Sequence, residues 1–314
     1  MERDFDLIAL GDPVLDVVVR SDGLPAWDDK NLGDSVQQLA GGSEANAACV
    51  ASRLGLRTSL FGQVGSGVEA EFLCAELRRH GVSDEHLHRA TDSGSATAVI
   101  YISRTGERAI TYVAAKKTVD RAEALARQLG RTRSIYTMPY DMAAFSRAAL
   151  AARAAGTLVA VDVESAVAAQ AGAEQALLQS SDLMFLNEGG FVALTRQSPS
   201  VDAATALLQR SVARTVVVTL GAQGALAVDR EEGSARQSAY VAQVIDTTGA
   251  GDTFNAAFLA ARLQGLSLQG ALSQGCAAAC LCVEAAGARG GIATLSQVAQ
   301  VQRDRPLVTL RGAA

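Results

Sequence analysis

The stretch YVAQVIDTTGAGDTFNAAFLAARLQG, residues 240–265, decides how the chain is read. Its apolar start, Val241–Ile245, has the pattern of a short buried strand, and its Ala-rich end predicts a helix running to about Leu263. Between them lies Asp246-Thr247-Thr248-Gly249-Ala250-Gly251-Asp252. This order places Gly249, Ala250 and Gly251 at the helix N-terminus, where the first backbone N–H groups have no intrahelical acceptor. Those donors and the positive end of the helix dipole suit an anion, typically a phosphate. Glycine belongs there because a Cβ would restrict the backbone and block close approach. Asp252 is out of place beside an anion unless it accepts a proton. A carboxylate next to free amides supplies both the base and the electrostatic stabilisation that phosphoryl transfer requires. A helix-capping Asp would do neither.

Outward from this stretch, strand-length apolar runs alternate with Ala/Leu-rich helical segments such as Glu69–Arg79. The runs are FDLIAL (5–10), TSLFGQV (58–64), SIYTM (134–138), TLVAVD (157–162), DLMFL (182–186) and RTVVVTL (214–220). Continuous β-branched runs of this kind predict an α/β fold with a mostly parallel sheet covered on both faces. Two segments break the alternation: DVVVR (16–20), and ATAVIYISRTGERAITYV (96–113) around a Thr105-Gly106 turn. They predict a small sheet, from about 14–40 and 96–113, inserted as a lid into a single domain over 1–314.

The 314 residues carry a net charge of −5, which argues against a general nucleic-acid binder with its basic face. The acidic start MERDFDLIALGD lacks a signal-peptide pattern, and no run approaches a membrane span, so a cytoplasmic protein is expected. Five cysteines without a C-x-x-C pair read as small core residues in a reducing compartment. His80, His86 and His88, in a polar segment, read as solvated surface residues rather than metal ligands.

The heptapeptide 246–252 resembles the signature of the ribokinase, or PfkB-type carbohydrate kinase, family, and the likeness runs over nearly the whole chain. The resemblance implies a ribokinase-like α/β fold and an ATP- and magnesium-dependent kinase. In it Asp252 is the catalytic base, and the amides of Gly249, Ala250 and Gly251 form the anion hole. Asp16, in LGDPVLD (10–16), matches the family's sugar-binding Asp, and a carboxylate with two acceptor oxygens suits a vicinal diol. AGGSEANAA (40–48) resembles the first family signature. There Gly41 and Gly42 let sugar approach the backbone, and Asn46 binds its hydroxyls; read without the family, the segment is a glycine turn and a helix capped by Ser43. Thr219, Gly221 and Gly224 of TLGAQGA (219–225) are implied near the nucleotide, with Asn187, and Ala277 and Cys280 along the adenine pocket. Asp246 and the loop 287–291 are implied around a monovalent cation, potassium.

One departure concerns magnesium. The family's Asn-x-x-Glu reads here as Asn187-Glu188-Gly189-Gly190, with glycine in place of the acid. Lys30, one of only three lysines, lies in the loop AWDDKNLGD (26–34); if the lid folds over the sugar it meets an anionic group of the substrate, and otherwise it is a surface lysine. Two copies are expected to pair through the lid edges. The function so implied is transfer of the γ-phosphoryl group to a primary hydroxyl of a sugar or sugar derivative. A nucleoside kinase acting on a ribosyl 5′-hydroxyl is the alternative within the family. A sugar-binding protein without activity would keep Asp16 and Asn46 but have no use for Asp252. Gly65-x-Gly67-x-x-Ala70 imitates a dinucleotide fingerprint, but the polar HGVSDEHLH (80–88) offers no second strand ending in an acid.

Overall fold

The computed structural model describes residues 3–117 and 119–309. In chain order its strands are β1 Phe5–Leu10, β2 Val14–Arg20, β3 Ser35–Gly41, β4 Thr58–Val64, β5 Leu87–Arg89, β6 Ala96–Ile102 and β7 Arg108–Val113. They continue as β8 Thr132–Thr137, β9 Leu158–Val163, β10 Leu183–Asn187, β11 Thr215–Thr219, β12 Ala225–Asp229 and β13 Gly233–Gln237. Nine form one sheet in the order β13-β12-β11-β10-β9-β8-β1-β4-β5. It is parallel from β11 to β5 and antiparallel at β12 and β13.

The strands read as unbroken apolar runs because both faces are covered. Leu7, Tyr136, Phe185 and Val217 face a core shared with the helices Ser43–Arg53, Ala250–Leu263 and Leu268–Val283. Ile8, Ile135, Met184 and Val216 face the opposite core, under the helices Met142–Ala154, Ala173–Ser180 and Val201–Arg210. Phe258 meets Phe185 edge-on at 5.5 Å, which fixes the helix after the glycine turn against the sheet. All five cysteines are free and buried. Among the described residues no helix is long and apolar enough to cross a membrane.

The remaining strands form a second sheet, β3-β2-β6-β7, with β2 and β6 parallel and the outer pairs antiparallel. Side chains alternate across a strand. Asp16, Ala98, Ile100, Arg108, Ile110 and Tyr112 accordingly share the face that closes over the ends of the large sheet.

Three expectations are corrected. Val241–Ile245 is not a strand: among the described residues the only ladder contact nearby is the bridge Tyr240–Leu307, and Val241, Val244 and Ile245 are exposed. The segment instead borrows the carbonyls of Pro306 and Val283, 3.0 and 2.8 Å from the amides of Val241 and Ile245. An apolar run forms a strand only where a neighbour edge is free to pair. His86 is not solvated, since its ring packs edge-on against Phe5 at 5.4 Å and its Nδ1 lies 2.8 Å from Ser59 Oγ. The helix at 43–53 is capped by Gly42, not Ser43.

Candidate active site

A cleft of about 1830 Å³ lies between the carboxyl ends of the parallel strands and the small sheet. Its floor is the N-terminus of the helix Ala250–Leu263, whose N-cap Gly249 has a φ of 76°. Glycine is required there twice over, because a Cβ would also lie 2.7 Å from that of Ala288. The Ala250 amide turns back to Thr247 O at 3.3 Å, and that of Thr253 takes Gly249 O at 2.9 Å. The amides of Gly249, Gly251 and Asp252 have no acceptor among the described residues. Of the Gly249–Ala250–Gly251 trio, the Ala250 amide is thus engaged, whereas those of Gly249 and Gly251, and that of Asp252 beside them, are open. Around Gly251 nothing stands within 4 Å of where a Cβ would be, so this face is open to the cleft.

Asp252 is only 9% exposed and does not cap its helix. Its Oδ2 accepts a 2.9 Å hydrogen bond from Asn46 Nδ2. Asn46 Oδ1 accepts from Arg289 Nε, and Arg289 Nη2 donates to Gly41 O, both at 2.9 Å. This relay orients the Asn46 amide and brings a buried cation near the Asp252 carboxylate. Burial pushes Asp252 up to about 6; the Asn46 bond pulls it down, and the negative charge of Glu164 adds to the rise. Asp16 is likewise pushed by burial to about 6, moderated by the charge of Arg289. Glu44, whose Oε1 accepts from the Met138 amide at 3.0 Å, is buried and raised to about 7. Asp162 is raised well above the usual carboxylate range by burial and by Asp252.

Asp16, Gly42, Asn46 and Asp252 line one part of the cleft. Gly41 does not; a Cβ there would stand 2.1 Å from Asp16 Oδ2, so this glycine makes room for the Asp16 carboxylate rather than for a ligand. Gly42 has a φ of 95°, and its Cβ would meet Asp12 O at 2.7 Å. Lys30 is not brought to the site, as it stands on the exposed stretch 22–34 away from the cleft lining.

Toward the other end, Asn187, Thr219 and Gly221 line the cleft. Asn187 Oδ1 caps its own helix by accepting from the Gly190 amide at 2.7 Å. Gly224 does not reach the cleft: with a φ of 95° and a Cβ position 2.0 Å from Gln237 O, it closes a turn. Ala277 and Cys280 also miss it. Ala277 is fully buried among the helices, and Cys280 Sγ rests 3.7 Å from Val241 O.

The missing acid at Gly190 has a steric cause. A Cβ there would fall 1.9 Å from Val163 O and 3.1 Å from Glu164 Cα, so no side chain fits. Glu164 lines the cleft at this spot, is raised by burial, and its carboxylate has no hydrogen-bonding or ion-pair partner among the described residues. Asp246 is committed as well. Its Oδ1 accepts from Thr248 N, Thr248 Oγ1 and Arg108 Nη2 at 2.9, 2.7 and 2.7 Å, and its Oδ2 from Gly287 N at 2.9 Å.

Arg289, Arg108, Glu44 and Glu164 are the site residues that sequence reasoning missed. Arg289 stands in the glycine loop already singled out, and Arg108 falls in register with Ile110 and Tyr112 on an apolar strand face. Those signals were present. Nothing in the sequence marks Glu44 or Glu164.

The chain is similar over most of its length to known proteins. A ribokinase of Arabidopsis thaliana is 28% identical over 294 residues, covering 90% of this chain and 77% of that protein. A nucleoside kinase of Methanothermobacter thermautotrophicus is 26% identical over 271 residues, covering 86% of each. The structure of Arabidopsis thaliana ribokinase complexed with ribose and ATP superimposes with a TM-score of 0.84 at 25% identity, covering 96% of this chain and 99% of that one. Residues 4–295 match the pfkB family of carbohydrate kinases, and to that family the chain belongs.

Proposed function

We propose that this kinase transfers the γ-phosphoryl group of ATP to a primary hydroxyl of a sugar or sugar derivative, with Asp252 as base. The observation that carries the reading is a buried carboxylate at the cleft floor, raised toward neutrality, in the same helical turn as the unpartnered amides of Gly251 and Asp252. The acceptor hydroxyl, held by Asp16 and Asn46, gives its proton to Asp252 as its oxygen forms a bond to the γ-phosphorus. The bond from that phosphorus to the β-phosphate oxygen breaks, ADP leaves, and the free amides hold the charge of the transferred group. Small-sheet residues Ile100, Ile110 and Tyr112 close the acceptor side and exclude water, the competing acceptor.

Magnesium carried on the phosphates would neutralise charge on their oxygens. The residue that fits it is Glu164, whose carboxylate is a hard oxygen donor with no partner among the described residues, at the place where Gly190 leaves the family's acid out. Glu164→Gln is expected to raise the magnesium concentration needed for ADP binding by about tenfold. Calorimetric titration at several magnesium levels checks this, and an unchanged requirement removes Glu164 from the role.

The apolar wall with Tyr112 favours one second reading, a nucleoside acceptor whose base covers it. In either case two copies pair through the outer edges of the small sheet. A coupled ADP-release assay over sugars, sugar acids and nucleosides tests the reading. Acceptor-dependent release that disappears in Asp252→Asn supports it, and release unaffected by that change overturns it.

A further inference from the structure

We propose that Arg108 is a tethered cation that takes the place of a monovalent metal ion beside the signature turn and couples the small sheet to nucleotide binding. A free ion would need the Asp246 carboxylate as a ligand. Here three donors already converge on Asp246 Oδ1, and a fourth, the Gly287 amide, holds Oδ2. One of the three is the Arg108 guanidinium, which makes a second bond from Nη1 to Thr248 Oγ1 at 2.8 Å. The Thr248 hydroxyl thus donates to Asp246 and accepts from Arg108, so carboxylate, hydroxyl and guanidinium form one closed set. Potassium does not fit this arrangement without displacing the arginine.

The placement gives the arginine a task that a free ion lacks. Arg108 opens β7, on the cleft face of the small sheet, whereas Asp246 and Thr248 begin the turn that ends in the open amides of Gly251 and Asp252. Its charge neutralises Asp246 at the edge of the hole, leaving the helix dipole and the amides unopposed toward an incoming phosphate. Since the arginine belongs to the small sheet, that neutralisation holds only while the sheet is docked. Nucleotide affinity and sheet closure are therefore one equilibrium. Asp246 remains the anchor, and Arg108 is a positioning residue.

The inference rests on the kinase reading only in taking a nucleotide as ligand, and its test needs no acceptor. ADP and magnesium are titrated calorimetrically into wild type, Arg108→Gln and Arg108→Lys in potassium, sodium and tetramethylammonium buffers, with thermal melts to verify folding. Wild type is expected to bind ADP equally in all three. Arg108→Gln should bind about tenfold more weakly in tetramethylammonium, the loss of one charge-assisted pair. Added potassium or guanidinium should restore it, and Arg108→Lys should stay insensitive to the salt. The proposal is overturned if potassium strengthens ADP binding by wild type, if Arg108→Gln binds like wild type, or if no cation restores its loss. Salt-independent ADP binding without turnover on any acceptor would leave this inference standing and remove the acceptor reading.

Discussion

In the proposed role, Asp252 is under two opposed demands, since a base must be ionised and a buried carboxylate resists ionisation. Its position near 6 is the compromise between burial and Glu164 on one side and the Asn46 amide and Arg289 charge on the other. Activity is therefore expected to fall as pH drops through about 6, as the base takes up its proton. Arg289→Met removes the nearby positive charge, so in that variant the acid limb of a pH–rate profile should move upward; an unmoved limb would show that the arginine only braces the loop. Asp252→Asn should lower turnover by at least about two orders of magnitude while ADP still binds. The same variant has a second readout. Because the folded state raises this carboxyl, its contribution to stability is complete below the unfolded-state value and lost as pH rises through about 6. Asp252→Asn should consequently melt about 2 °C above wild type at about pH 8 and show little gain at about pH 3.5, below the unfolded-state value. Equal shifts at both pH values would contradict the raised carboxyl. Asp252 was legible because its glycine context is local in the chain. Its partners were less so: Asn46 and Arg289 lie 206 and 37 residues away along the sequence, and only the fold joins them.

At the scale of the element, the helix N-terminus separates two glycines that look alike in sequence. Gly249 is left-handed and packed against Ala288, whereas Gly251 has helical geometry and open space before it. Gly249→Ala should destabilise the fold by about 1–2 kcal/mol, through backbone strain and the clash together. Gly251→Val should leave the melting temperature nearly unchanged and weaken binding of a non-hydrolysable ATP analogue about tenfold by placing a side chain in the path of its terminal phosphate. Melting curves and calorimetry on the pair check this, and a Gly251→Val protein that binds normally would contradict the open-amide hole. The strands of the large sheet were readable because burial on both faces leaves continuous apolar runs. The same cue misled at Val241–Ile245, whose apolar residues lie exposed along the ends of two helices. Gly190 shows a further limit. Its replacement of an acid was visible, but its cause, the Val163 carbonyl in the Cβ position, belongs to another strand.

In the whole molecule, the proposed catalytic cleft is built by two sheets that meet across it. Asp16 and Arg108 come from the small one, and the glycine turn and Asp252 from the helix packed on the large one. The small sheet was legible through its Thr105-Gly106 hairpin and its break in the strand–helix alternation; its docking through Arg108 was not, because 138 residues separate the arginine from Asp246. Its outer side poses a separate problem. Trp27 is 99% exposed, Leu32 87% and Val36 65%, and β3 is an edge strand with no neighbour on that flank among the described residues. Unprotected apolar edges of this kind invite another chain. A second copy of this chain related by a two-fold axis would cover both edges at once, since each presents the patch the other needs. Light scattering at micromolar concentration should thus report a dimer. Leu32→Asp and Val36→Asp should each shift it to monomer, since burying an unpaired carboxylate in that contact is costly. Both substitutions lie on exposed positions away from the cleft lining, so ADP binding should persist in the monomers. A monomeric wild type would leave the exposed edge without a partner in its own kind, and dimers that tolerate both charges would place the contact elsewhere on the surface.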